Sequence, residues 1–204
     1  MLFDPVPRIF ARRARSVLGS QLPTRLEAAL AKAYLQRLEG LKAEKTVGAK
    51  MTMRLVVANA ALLDVCLAEG LDRNQSIDMI ASVNRTLLAF PMRFLYHMSR
   101  MVGTDAARRM DWVWELLNRW FPFSSPGWEL KPVVQQEAGR VVASFDYCRC
   151  PIADYCGPRN LVDLCTGALC SLDYLLEEPS GLKLMREETL VEGGGRCTFR
   201  WHRG

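Results

Sequence analysis

The sequence predicts an α+β protein, with an N-terminal helical half packed on a four-stranded antiparallel sheet. Three observations lead there. Apolar residues recur at helical spacing, between helix-capping signatures, as far as Trp120. The Pro122–Gly127 stretch (Pro-Phe-Ser-Ser-Pro-Gly) then breaks the pattern. Beyond it the period falls to two, in a β-β-α-α-β-β order with helices over one face of the sheet. Residues 1–121 form the helical half and 128–204 a cysteine-rich α+β half. At 204 residues, half of them hydrophobic, the two fit one compact domain.

Val6 to Leu18 sets Val6, Ile9, Phe10, Val17 and Leu18 against Arg8, Arg12, Arg13 and Arg15. It reads as a helix docked on its own domain, a membrane or partner surface being the other use of such a stripe. A capping box at Thr24 and Glu27 opens a helix running to about Leu38. The next spans Ala49 to Ala68 and closes at Glu69-Gly70. Asp72 and Gln75 cap a third from Asn74 to Phe90, which Pro91 kinks or restarts before a further helix to Met101. Thr104 caps a helix from Asp105 to Trp120, on which Trp112, Val113, Leu116, Leu117 and Trp120 pack. His97, in the middle of the helical half, reads as a hydrogen-bonded boundary residue sooner than a general base.

Trp128 to Glu137 and Arg140 to Tyr147 read as strands joined at Ala138-Gly139, with Pro132 marking an edge. Cys150-Pro151 starts a short helix, and Asn160 to Glu178 a second helical segment broken near Gly167. Gly181 to Val191 and Arg196 to Trp201 form a closing hairpin around Gly193-Gly194-Gly195. That glycine run is a flexible turn; it lacks the following helix and the Lys-Ser/Thr of a phosphate loop.

The net charge is +5. Four arginines against Asp4 place +3 of it in the first 20 residues, which leaves too little for a nucleic-acid footprint elsewhere. The longest apolar run, Leu55 to Leu63, contains Asn59 and falls well short of the ~20 residues of a membrane span. Arginines interrupt the only apolar segment near the N-terminus, so no secretory signal is expected. The expected setting is cytoplasmic, with reduced thiols.

Six of the seven cysteines lie between Cys148 and Cys197; only Cys66 falls outside. Cys150 is the sharpest candidate for chemistry. Preceding Pro151, it falls at a helix N-cap, where backbone N–H groups, the helix dipole and Arg149 would favour a thiolate. Cys170 and Asp173, three apart, share a helix face, and Asp173 is placed to act as base or orienter. Cys197 has the sheet parity of Phe199 and Trp201. A zinc or iron–sulfur site on Cys148, Cys150, Cys156 and Cys170 is the alternative, although their spacing matches neither Cys-x2-Cys pairs nor ferredoxin runs.

Three boxes stand in order: Cys150-Pro151-Ile152-Ala153-Asp154-Tyr155, then Cys170-Ser171-Leu172-Asp173, then Gly193-Gly194-Gly195-Arg196-Cys197-Thr198-Phe199. Together they make residues 145–201 resemble the L-2-amino-thiazoline-4-carboxylate hydrolase family. Gly195 and Thr198 stand where the family carries acids, and Cys148, Cys156 and Cys165 lie outside its pattern. The resemblance implies opening of a cyclic 2-aminothiazoline amino acid to a carbamoyl-cysteine, without a cofactor. Either a Cys150 thiolate attacks the amidine-like carbon, or Asp173 activates a water. Cys170 and Cys197 would serve as pocket wall or secondary thiols. Arg149, Arg159 or Arg196 would hold the substrate carboxylate, with Tyr155 beside them. The implied partner is a small-molecule substrate, and a homo-oligomer is compatible with the reading. The layout is also similar to small-molecule-binding vinyl-reductase domains, which makes a non-catalytic binding module the rival.

Overall fold

The computed structural model describes residues 4–19, 25–133 and 141–203. Its N-terminal helices are α1 (Val6–Leu18), α2 (Leu26–Leu38), α3 (Val47–Ala68), α4 (Arg73–Met98) and α5 (Ala106–Arg119). Strand β1 (Glu129–Pro132) and strand β2 (Val141–Arg149) follow, then α6 (Pro151–Cys156). An irregular stretch runs through α7 (Val162–Leu164), a π-turn (Cys165–Leu169), a 3-10 helix (Cys170–Leu176) and α8 (Glu177–Ser180). Strands β3 (Leu182–Met185) and β4 (Cys197–Arg203) close the chain. All pairings are antiparallel, in the order β1-β2-β4-β3. The fold is α+β, and β1 with Pro132 is an edge strand as its sequence requires.

Alternation decides what the sheet buries. Ala143, Phe145 and Tyr147 of β2 face the core with Cys197, Phe199 and Trp201 of β4 and Leu182 and Leu184 of β3. Helix α5 covers this face with Met110, Val113, Trp114 and Leu117. The rings of Phe145 and Phe199, opposite each other in the register, stack at 4.7 Å, and Trp114 lies 5.0 Å from Phe145. On the other face Asp146 and Thr198 are also buried. Asp146 pairs with Arg200 at 2.8 Å, and Thr198 Oγ1 accepts from the amides of Glu187 and Glu188 at 2.9 and 3.2 Å.

The second core surrounds α3, which is buried along most of its length between α2, α4 and α1. By length and composition α3 is apolar enough to cross a membrane, although the sequence runs pointed to no such helix; most of its apolar window is buried inside the protein. Helix α1 docks on this core through Phe10, Ala11 and Ala14, with Arg13 donating to the Thr86 carbonyl. Neither core respects the break at Pro122–Gly127. Tyr155, Cys156, Cys165 and Ala168 join the helix-side core, while α5 and Tyr96 belong to the sheet-side one.

Several elements differ from expectation. Pro91 does not restart the helix: α4 continues through it to Met98, with the proline on the exposed side. Asp105, not Thr104, caps α5, accepting from Ala107 and Arg108. Trp114 packs inward in place of Trp120, which is 70% exposed. Strand β3 ends at Met185, well before the expected Val191, because Thr198 and Cys197 draw the amides of residues 187, 188 and 190 out of the ladder, while β4 runs on to Arg203. Gly193-Gly194-Gly195 is held by the Glu188 carboxylate rather than swinging loose. Thr24 and the Ala138-Gly139 turn lie outside the described residues.

A buried polar contact joins the helix core to the irregular stretch. Asn84 Nδ2 donates to Asn59 Oδ1 at 2.7 Å and to the Ala168 carbonyl at 2.8 Å, and both asparagines are fully buried. The approach requires a glycine next to Ala168: a Cβ on Gly167 would stand 2.7 Å from Ile77 Cγ2. Asn84→Ala would strand two buried acceptors, at about 1–3 kcal/mol each. Urea unfolding of that variant should show a loss of roughly 2–4 kcal/mol with an unchanged slope.

Candidate functional site

The three sequence boxes converge where β2, β4 and the irregular stretch meet. Cys150 is the N-cap of α6, as the following proline dictates. Its surroundings nevertheless disfavour a thiolate. Burial pushes it up to about 12, and the neighbouring Cys170 and Cys197 thiols add to that. The Ala153 and Ile152 amides pull the other way, but no full hydrogen bond closes on the sulfur. The expected depression of the Cys150 pKa is therefore reversed, because desolvation outweighs a helix end of six residues.

Cys170 and Asp173 lie on the 3-10 helix, where residues three apart stack one above the other. Cys170 Sγ is 3.7 Å from Cys165 Sγ; that contact and burial hold the Cys170 thiol well above its ordinary value. Cys197 Sγ accepts from the Leu190 amide at 3.2 Å, but burial still raises its pKa. Asp173 is the poised group. Its side chain is 20% exposed, and burial lifts its carboxyl to about 6 even against a neighbouring cation.

That cation is Arg186, which the sequence reading passed over. Arg186 Nη1 donates to Asp173 Oδ2 at 2.7 Å, and its side chain is only 5% exposed. The guanidinium lies over the Phe199 ring, 4.5 Å from its centre. A signal existed: Arg186 continues the inward parity of Leu182 and Leu184, so an arginine at that position points toward the core. Tyr147 was also missed. Its hydroxyl donates to Asn118 Oδ1, and burial together with the Asp173 charge keeps it neutral.

The other expected site residues are not brought to this cluster. Arg149 donates to the Pro126 and Gly127 carbonyls at 2.7 and 2.6 Å and pairs with Glu44 and Asp154. Arg159 donates to the Tyr155 and Gly40 carbonyls and lies over the Tyr155 ring, itself buried in the helix-side core. Arg196 pairs with Asp146 and Glu188, each at 3.3 Å. Cys156 is buried in the helix-side core, whereas Cys150 packs on the sheet-side core and Cys148 lies half-buried on β2. Among the described residues no three His, Cys, Asp or Glu side chains stand together as a metal-holding group. His97 is exposed on α4.

A cleft of about 640 Å³ opens between α5 and the β1–β2 edge, lined by Trp114, Asn118, Trp128 and Phe145 among others. No residue of the Cys150–Asp173–Arg186 cluster lines it. Asn118 on its wall hydrogen-bonds Tyr147, and Trp114 and Phe145 pack on Phe199 under Arg186.

The family model for L-2-amino-thiazoline-4-carboxylic acid hydrolase matches residues 24–201, nearly the whole chain. The chain belongs to that family. No curated protein and no solved structure matches it. Helix α1 precedes the matched region, and all three boxes, with Arg186 between the second and third, fall inside it.

Asp173 also leaves a signature in stability. A carboxyl raised from 3.8 to about 6 favours folding when protonated, so its contribution is full below pH ~4 and lost as pH rises through ~6. The parent should therefore lose stability between pH ~4 and pH ~7, and Asp173→Asn, with nothing to titrate at that position, should lack that loss. Thermal or urea melts at the two pH values check this.

Proposed function

We propose that the chain is a hydrolase opening a small cyclic amidine of the 2-aminothiazoline-4-carboxylate type, with Asp173 as general base. The observation that carries the reading is the buried Asp173–Arg186 pair beside the neighbouring Cys150, Cys170 and Cys197 thiols, which come from the three boxes. A carboxyl near 6 is mostly ionised at neutral pH yet basic enough to accept a proton in the transition state. The family's named substrate supports the ring chemistry.

In the proposed reaction, Asp173 takes a proton from water and the oxygen adds to the ring carbon between sulfur and nitrogen. The adduct's hydroxyl proton passes to the amidine nitrogen that the addition leaves electron-rich, and the carbonyl forms as that carbon's bond to ring sulfur or ring nitrogen breaks. The leaving atom takes the proton back from Asp173, and the product is a carbamoyl-cysteine. One water is consumed and no redox step occurs. The raised Cys150 thiol favours this water route over direct thiolate attack, and leaves Cys150, Cys170 and Cys197 as the wall around the ring.

The pH profile tests it. For the parent, kcat/KM on 2-aminothiazoline-4-carboxylate should rise as pH passes ~6 and stay level above it. Asp173→Asn should lose about 10²–10⁴-fold and that acid limb with it. Cys150→Ser should keep activity within about 10-fold, well short of the effect of removing a general base. A far larger loss, with a covalent adduct on Cys150 in the parent, would transfer the attack to sulfur. Tight binding without turnover would make the protein a binding module.

A further inference from the structure

We infer that Arg186 is the specificity-determining anchor for the substrate carboxylate, its unpaired Nε–H marking where an anionic oxygen docks. This deepens the hydrolase reading and rests on it for the identity of the site. Arg186 is among the most enclosed polar groups in the molecule; the Cys170 thiol lies against its guanidinium, but no geometrically complete hydrogen bond reaches its buried Nε among the described residues. One edge of the fork is engaged by Asp173, and the flat face is braced on Phe199. A guanidinium fixed on two sides with a third donor unmet is a preformed site for a planar oxyanion. A buried donor left bare is also unfavourable until an acceptor arrives.

The alternatives are already committed. Arg149, Arg159 and Arg196 direct their donors to carbonyls and carboxylates of the protein itself. Arg13, the other guanidinium with a buried unpaired Nε, belongs to α1 and lies outside the family-matched region. The exposed surface beside the pair belongs to Asp173, whose side chain is 20% exposed, and Tyr174, 41% exposed. A five-membered ring acid entering there would place its carboxylate on Arg186 and its ring beside Asp173.

The test uses thiazolidine-4-carboxylate, a saturated ring acid without the electrophilic carbon, and its carboxamide. Both are titrated calorimetrically into the parent, Arg186→Gln and Arg186→Lys. The parent should bind the acid about 10–100-fold more tightly than the amide, the difference a charge-assisted hydrogen bond supplies. Both variants should lose that preference, since lysine keeps the charge but lacks Nε and the planar fork. Near-ultraviolet circular dichroism checks folding, and Arg186→Lys decides if Arg186→Gln does not fold. A parent without the preference, or a folded variant that retains it, overturns the inference. A lower kcat with an unchanged acid-to-amide ratio does so too, reducing Arg186 to a brace for Asp173. Parallel turnover assays separate the two claims. Ring opening without acid preference overturns the anchor alone, while acid preference without ring opening overturns only the hydrolase reading.

Discussion

A buried arginine has to be held, and the way Arg186 is held organises everything around it. Its charge is tolerable inside the protein because Asp173 pairs with it and Phe199 offers a ring face. The pairing fixes the 3-10 helix against the end of β3. The stacking fixes both against β4, whose Phe199 is itself clamped between Phe145 and Trp114. The aromatic layer under the sheet is thus the floor of the site as well as the core of this half. Asp173 remains the less satisfied partner: burial keeps its carboxyl near 6, high for an acid that contacts a cation. Such imbalance is typical of functional groups, which give up stability for reactivity.

The helical half supports this arrangement from behind. Helix α3 is buried so completely that only its few polar side chains need explaining, and Asn59 is the deepest. Through Asn84 it anchors the Ala168 carbonyl, two residues before Cys170. The π-turn at Cys165–Leu169 follows from the same geometry. It brings Cys165 and Cys170 sulfur atoms to 3.7 Å, and such turns recur at functional positions. The helices therefore position the stretch that carries Cys170 and Asp173.

Much of this was legible in the sequence, and the rest was hidden for physical reasons. Helix ends with polar caps at Asp72 and the Cys150-Pro151 junction could be read because the signal is local. The inward faces of β2 and β4 followed from alternation. The cluster of Cys150, Cys170, Asp173 and Cys197 came from motif order. What failed needed tertiary context. The continuity of α4 through Pro91 was hidden, because whether the helix resumes after an exposed proline depends on what the following turns pack against. The acidity of Cys150 was misread because a helix end acts only within its own desolvation balance. Arg149, Arg159 and Arg196 were attractive as clamps until their protein partners were visible. Arg186 carried a parity cue, but a charge at an inward position looks like an error until Asp173 stands opposite it.

The central claim is that the ring of a small cyclic acid sits between Asp173 and the three thiols with its carboxylate on Arg186. A crystal structure of the Asp173→Asn variant with 2-aminothiazoline-4-carboxylate tests this most directly. The account places the ring carbon against residue 173 and the carboxylate within hydrogen-bond range of Arg186 Nε. A ligand found instead in the cleft between Trp114 and Trp128, with Arg186 untouched, would contradict it.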